Sequence, residues 1–241
     1  ASVTGATVAY FLMGEGVVLS VSNVMPFELS NIPFYILLGF LAGIVSFYFT
    51  RTTMFIESRI NKIKNFVAKI ITGGLILAGL IAFIPGLYGE GMQLLQALLN
   101  GNLDAFPKDR IFSFVMNNHS YLLIYLGLII ILKVVAMSVT TGRGGVGGIF
   151  GPTLFVGGVT GYWLSHLVNI TGISKLPEGN FALVGMAGLM AGVMHAPLTA
   201  IFLIAEITGG YQLFIPLMIT STIAYLTILP FSKHYFFNIL K

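Results

Sequence analysis

Gly147-Gly148-Ile149-Phe150-Gly151-Pro152 is a stretch whose residue types could do chemistry without a reactive side chain. Its glycines give way to Pro152 and then to the apolar run Thr153-Leu154-Phe155-Val156 ahead of Gly157-Gly158. Proline is favoured in the first turn of a helix, so the pattern reads as a loop feeding a helix N-terminus. The N–H groups of such a first turn have no intrahelical acceptor and carry partial positive charge, which attracts an anion without a cationic side chain. That suits an ion in transit, because a full lysine charge in a low-dielectric site would hold it too tightly. A phosphate loop would continue as Gly-Lys-Ser/Thr, and this stretch does not. Close approach of packed helices accounts for the same glycines, so an anion site and simple packing both remain open on physics alone.

Two further candidates are weaker. Met194-His195-Ala196-Pro197 opens a short apolar helix that ends in Glu206. A carboxylate within apolar sequence is costly and is a functional candidate on that ground. Thr208-Gly209-Gly210 follows at once, which is turn chemistry, so Glu206 reads as lying at a membrane edge and His195 as structural. Tyr235, in Ser232-Lys233-His234-Tyr235-Phe236-Phe237, offers a neutral hydroxyl donor to an anion, yet aromatic residues gather at membrane interfaces anyway. Signatures of other chemistries are missing. There is no Gly-x-Ser-Gly for an intramembrane serine protease and no His-Glu-x-x-His for metal hydrolysis. Thr140-Thr141-Gly142-Arg143-Gly144 places a cation in the middle of what a potassium filter would need. An enzyme is therefore not expected, and neither catalytic residues nor metal ligands are assigned.

The elements that must position these residues follow from composition. Of 241 residues, 56% are hydrophobic and 8% are charged, with a mean hydropathy of +0.94. An ordinary soluble domain carries about a quarter charged residues, so a soluble globular enzyme is excluded, as is disorder. Cysteine is absent, which excludes disulfides and thiolate metal sites. The net charge of +4 does not indicate a nucleic-acid partner, because five of the twelve basic residues cluster at Arg51, Arg59, Lys62, Lys64 and Lys69. Between apolar tracts, such a cluster reads as a cytoplasmic loop. Charge-free tracts at Leu29–Thr50, Ile70–Gly89, Ile111–Leu132, Gly144–Ser174, Gly179–Ala205 and Ile207–Ser232 each match or exceed the roughly 20 residues of a membrane crossing. Their continuity argues for helices over a barrel. Pro197 and Pro216 interrupt the later tracts, as in transporters that build ion sites from broken helices.

Gly148-Ile149-Phe150-Gly151-Pro152 also fits the GxFxP motif of the CLC family of chloride channels and chloride/proton antiporters. The stretch from Gly185 to Tyr225, with Met194-His195-Ala196-Pro197-Leu198-Thr199 and Glu206-Ile207-Thr208-Gly209-Gly210-Tyr211, resembles that family in order and spacing. Residues 1–241 resemble the C-terminal part of a CLC membrane domain. The resemblance implies an all-α membrane protein, a bundle of tilted and partly re-entrant helices comprising one of two inverted repeats plus flanking helices. It implies chloride as the transported ligand, no cofactor, a homodimer meeting through 197–229, and an N-terminal half of the same domain as partner within the bilayer. It places chloride at Gly148, Ile149, Phe150, Gly151 and Pro152, with the amides of Ile149 and Phe150 as donors and the Tyr235 hydroxyl helping. Phe236 departs from the small hydroxyl residue that commonly follows that tyrosine. The family's gating and proton-path glutamates belong to the preceding half, and no stretch resembles its cytoplasmic regulatory domains. The alternative is a structural membrane subunit that packs against a conducting partner. Helices are expected near Ser2–Leu12, Ile32–Ile60, Val67–Phe83, Met92–Leu99, Tyr121–Val139, Phe150–Val168, Phe181–Val193, Pro197–Ile207, Leu213–Leu229 and Phe231–Leu240.

Overall fold

Out of water a backbone has to satisfy its own hydrogen bonds, and a helix does so within one segment. Within the described residues the charge-free tracts are largely helical. The computed structural model describes residues 24–89, 91–100, 119–143, 145, 148–208 and 211–239, with residues 4, 5, 7, 8 and 11 near the start. For residues 66, 119 and 232–239 it describes backbone alone. Eight α-helices are laid out in these residues: α1 (Ile32–Ile60), α2 (Phe66–Phe83), α3 (Met92–Leu99), α4 (His119–Thr141), α5 (Phe150–Thr171), α6 (Glu178–Met194), α7 (Pro197–Ile207) and α8 (Phe214–Ile239). Among the described residues there is no strand.

Local signals explain most of the boundaries. Asn65 caps α2, its Oδ1 accepting from the N–H groups of Val67 (3.1 Å) and Ala68 (3.5 Å). Gly172 ends α5 in the left-handed conformation, φ 73°. The tract Gly179–Ala205 holds two helices, because His195 turns left-handed at φ 55° and Pro197 starts α7 afresh. Pro197 and Pro216 thus begin helices; the chain leaves helix between them only after Ile207. One expectation is overturned. Leu213–Leu229 and Phe231–Leu240 form the single helix α8 with Pro230 inside it. Proline forfeits one backbone bond, but the apolar residues beyond it still need theirs, and continuing the helix supplies them. The helix expected near Ser2–Leu12 lies outside the described residues except at five positions.

Lengths are unequal, as expected. Among the described residues three helical stretches are long and apolar enough to cross a membrane: Leu29–Ile60, Ser120–Thr141 and Phe214–Phe231. At 11 residues, α7 is about 16 Å long, against a hydrocarbon core of about 30 Å. It cannot cross alone.

The centre is the α5–α6 pair, which meets backbone to backbone. A Cβ on Gly157 would lie 2.6 Å from the Gly185 carbonyl oxygen, and one on Gly161 would overlap the Phe181 carbonyl. A second close pair joins α1 to α8, where a Cβ on Gly39 or Gly43 would strike Ile223 or Thr227. Polar ties join helices across the bundle. Thr220 donates to the Tyr35 carbonyl (3.0 Å), and the hydroxyls of Ser138 on α4 and Thr53 on α1 meet at 3.0 Å. Asn180 pairs with the Met25 backbone, accepting from its N–H (3.2 Å) and donating to its carbonyl (2.8 Å). Tyr35 stacks on Phe181 at 4.5 Å beside it.

Candidate functional site

The site is assembled where α4 hands over to α5. α4 closes at Thr141 in a turn whose Gly142 and Gly145 N–H groups donate to the carbonyls of Ser138 (3.0 Å) and Thr140 (3.1 Å). The hydroxyls of Ser138 and Thr140 fold back onto carbonyls one turn earlier, at 2.6 Å and 2.9 Å, so each donates its proton within the helix. Ile149 then caps α5 in helical conformation without a side-chain cap bond. The helical ladder begins with the Thr153 N–H donating to the Ile149 carbonyl at 3.0 Å, and the Thr153 hydroxyl donates to the same oxygen at 2.5 Å. The N–H groups of Ile149, Phe150 and Gly151 therefore precede the ladder and have no intrahelical acceptor, while Pro152 has no N–H at all.

This terminus is open. Ile149 and Phe150 are each 40% exposed, whereas Thr153 through Gly161 are buried. A cavity of about 360 Å³ lies against it. Its walls are Leu77 and Ile81 of α2, Leu87 and Gly89 of the following turn, Lys133, Ala136, Met137, Thr140 and Thr141 of α4, and Gly148, Gly151 and Pro152. Of the residues picked out from sequence, Gly148, Gly151 and Pro152 thus share one cavity wall, and Ile149 and Phe150 are continuous with them. Tyr235 lies on α8, and its side chain lies outside the described residues, as does all of Gly147. Gly157, Gly158 and Gly161 take no part in the site; they are the helix-packing glycines. Glu206 is exposed near the end of α7. His195 forms the α6–α7 corner with its ring edge-on to Tyr225 at 6.2 Å.

Lys133 went unremarked in the sequence, although a lone cation inside an apolar helix is a signal in itself. It is 3% exposed; its Nζ donates to the carbonyls of Leu87 (3.1 Å) and Gly89 (2.7 Å) and stands 4.9 Å from the centre of the Phe155 ring. Carbonyl dipoles and a π face accommodate the charge. Arg143 brings a second cation to this end, on the α4–α5 turn. Its guanidinium occupies the notch left by Gly73 on α2, where a Cβ would overlap it. Burial lowers its pKa from the ordinary arginine value, but a guanidinium stays charged at any physiological pH.

At the far end of α5 a separate polar cluster ties the α5–α6 turn together. His166 Nδ1 lies 2.7 Å from Glu178 Oε1, and Asn169 donates to the same oxygen (3.0 Å). Asn169 also brackets Leu176, donating to its carbonyl and accepting from its N–H. Among the described residues no group of three or more His, Asp or Glu could hold a metal.

Residues 1–228 match the family described as voltage gated chloride channel, and the chain belongs to that family. An H(+)/Cl(-) exchange transporter ClcA of Vibrio vulnificus is 30% identical over 215 residues, which cover 86% of this chain and 42% of the relative. A putative chloride channel protein, ClcB-like, of Ralstonia nicotianae is 33% identical over 161 residues, covering 66% of this chain and 33% of the relative. A solved CLC-type fluoride/proton antiporter is similar with a TM-score of 0.70 and 21% identity, over 92% of this chain and 50% of that one. A slow cyanobacterial Cl-/H+ antiporter follows at 0.65 and 22%, over 93% and 49%. At these identities the likeness is one of fold: the helical bundle is that of the CLC antiporters. The chain spans about a third to a half of the length of these proteins.

Proposed function

We propose that this chain forms part of a protein that carries an anion, chloride, across a membrane as a CLC-type channel or chloride/proton antiporter. The observation that carries the reading is the open start of α5, where main-chain donors precede Pro152 beside a cavity walled by Gly148, Gly151 and Pro152. In this reading the amides of Ile149 and Phe150 hold the ion and the Tyr235 hydroxyl adds a donor from α8. The names of the relatives, several of them H(+)/Cl(-) exchangers, support chloride as the cargo. The chain acts as a multi-pass segment of a cell membrane, completed by an N-terminal half of the same domain. It pairs with a second copy through 197–229, where Leu198, Phe202, Ile215, Met218 and Leu226 present exposed apolar side chains.

Isothermal titration of chloride into the intact protein tests the site. Tyr235→Phe loses one hydrogen bond to a charge, about 1.5–3 kcal/mol, which is roughly ten- to a hundredfold in affinity. Ile149→Val leaves affinity unchanged, because its donor is main chain. Normal binding by Tyr235→Phe together with lost binding in Ile149→Val would mean that side chains build the site. Chloride efflux from liposomes holding only the intact protein separates transport from the role of a structural subunit, which would move no chloride without a second polypeptide.

A further inference from the structure

We infer that Arg143 is a fixed positive charge at the mouth of the α5 cavity, where it concentrates the transported anion and sets its rate of entry. The inference rests on the transport reading above and adds a residue to it.

Position comes first. Arg143 stands on the turn between Thr140-Thr141 and Gly148, residues that line the cavity from either side. Its guanidinium rests in the notch at Gly73 of α2. Leu77 and Ile81 follow Gly73 at four-residue spacing on that helix and line the cavity. The charge therefore lies about 6 Å, one helical turn, along α2 from the first lining residue.

Bonding comes second. An arginine that served to fasten the turn onto α2 would have its donors matched by carbonyls or a carboxylate. Among the described residues no hydrogen bond or ion pair reaches the Arg143 side chain, and its Nε is buried without a partner. Glu57, against the neighbouring Gly142, instead accepts from the Thr141 hydroxyl at 3.0 Å. A half-buried guanidinium without a fixed counter-charge is costly. The compensating charge comes from solution, as a mobile anion met by the exposed part of the side chain.

The size of the effect follows from Coulomb's law. An anion about 10 Å away, with an effective dielectric between about 20 and 80, is enriched roughly two- to fifteenfold. Salt screens this, since the Debye length falls from about 10 Å at 0.1 M to about 3 Å at 1 M.

The chain contains no cysteine, so the charge can be removed and returned after folding. Arg143→Cys is placed in the intact protein, with any cysteine elsewhere replaced, and chloride efflux is followed from liposomes at low ionic strength. Efflux falls about two- to fifteenfold; an aminoethyl thiosulfonate, which adds a positive group, restores it, and a sulfonatoethyl thiosulfonate lowers it further. The gap between the two reagents closes when ionic strength is raised to about 1 M with an impermeant salt. Equal effects of both reagents would mean that Arg143 only packs, and the inference falls. Should Arg143→Cys not fold or not react, Arg143→Lys and Arg143→Gln decide: efflux kept by Lys and lost by Gln supports the charge, and Gln equal to wild type overturns it. Wild-type protein that moves no chloride refutes the transport reading itself, whereas wild-type flux with charge-insensitive variants refutes only the role of Arg143.

Discussion

Gly161→Ala should be far more damaging than its chemistry suggests, and Gly79→Ala provides the measure. Both glycines lie inside helices, so alanine brings both the same gain in helix propensity, about 0.5–1 kcal/mol. They differ in what a methyl group meets. On α2 a Cβ at Gly79 finds nothing within 4 Å, whereas on α5 a Cβ at Gly161 overlaps the Phe181 carbonyl oxygen and lies 2.7 Å from its carbon and 3.0 Å from the Ala182 Cα. Those are backbone atoms of α6 and cannot rotate aside, so the two helices have to move apart. Overpacking of this kind costs about 1–3 kcal/mol. At about 1–2 °C per kcal/mol for an intact protein about twice the length of this chain, the two variants should melt about 1–6 °C apart. Thermal unfolding of the intact protein in detergent measures the gap, and chloride titration on the same samples reports whether shifting α5 also disturbs the donors at its start. Equal melting of Gly161→Ala and Gly79→Ala would refute the backbone-to-backbone account of the α5–α6 contact.

Asn180→Ala removes both bonds to the Met25 backbone from a side chain that is 1% exposed, and should cost about 1–3 kcal/mol in the same unfolding assay. Asn180→Asp keeps the acceptor for the Met25 N–H but sets a carboxylate against its carbonyl, and should be no better. In a cysteine-free background, Met218→Cys should trap a dimer on oxidation, because its side chain is 46% exposed on α8, while Leu217→Cys, next to it and 1% exposed, should not. Cross-linking of both or neither counts against self-association through this face.

The start of α5 was legible because its signals are local. Glycines, a proline at the third helical residue and an apolar run favour a helix N-terminus, and the structure starts α5 at Phe150 with a cavity walled by Gly148, Gly151 and Pro152. What the same glycines do further along was not legible. The spacing Gly157, Gly158, Gly161 fits a broken helix or a packing seam equally well, and the choice was made by Gly185, Phe181 and Met186 on another helix.

By itself the sequence determined that the chain is a set of apolar helices, and where most of them begin and end. Long runs without charge have one way to satisfy their backbone away from water, and prolines, glycines and asparagine caps act on their own neighbours. Only the tertiary structure decided what those helices bring together. Met25 meets Asn180 across 155 residues and Tyr35 meets Thr220 across 185. Lys133 finds its carbonyls on the turn after α2, and Arg143 finds an empty notch at Gly73. In each case the partner depends on how helices distant in sequence pack, and residue spacing along one helix carries no record of that. The same holds for α8: Pro230 reads as a stop when only its missing N–H is counted, but the backbone beyond it still has to be bonded, and there the helix continues.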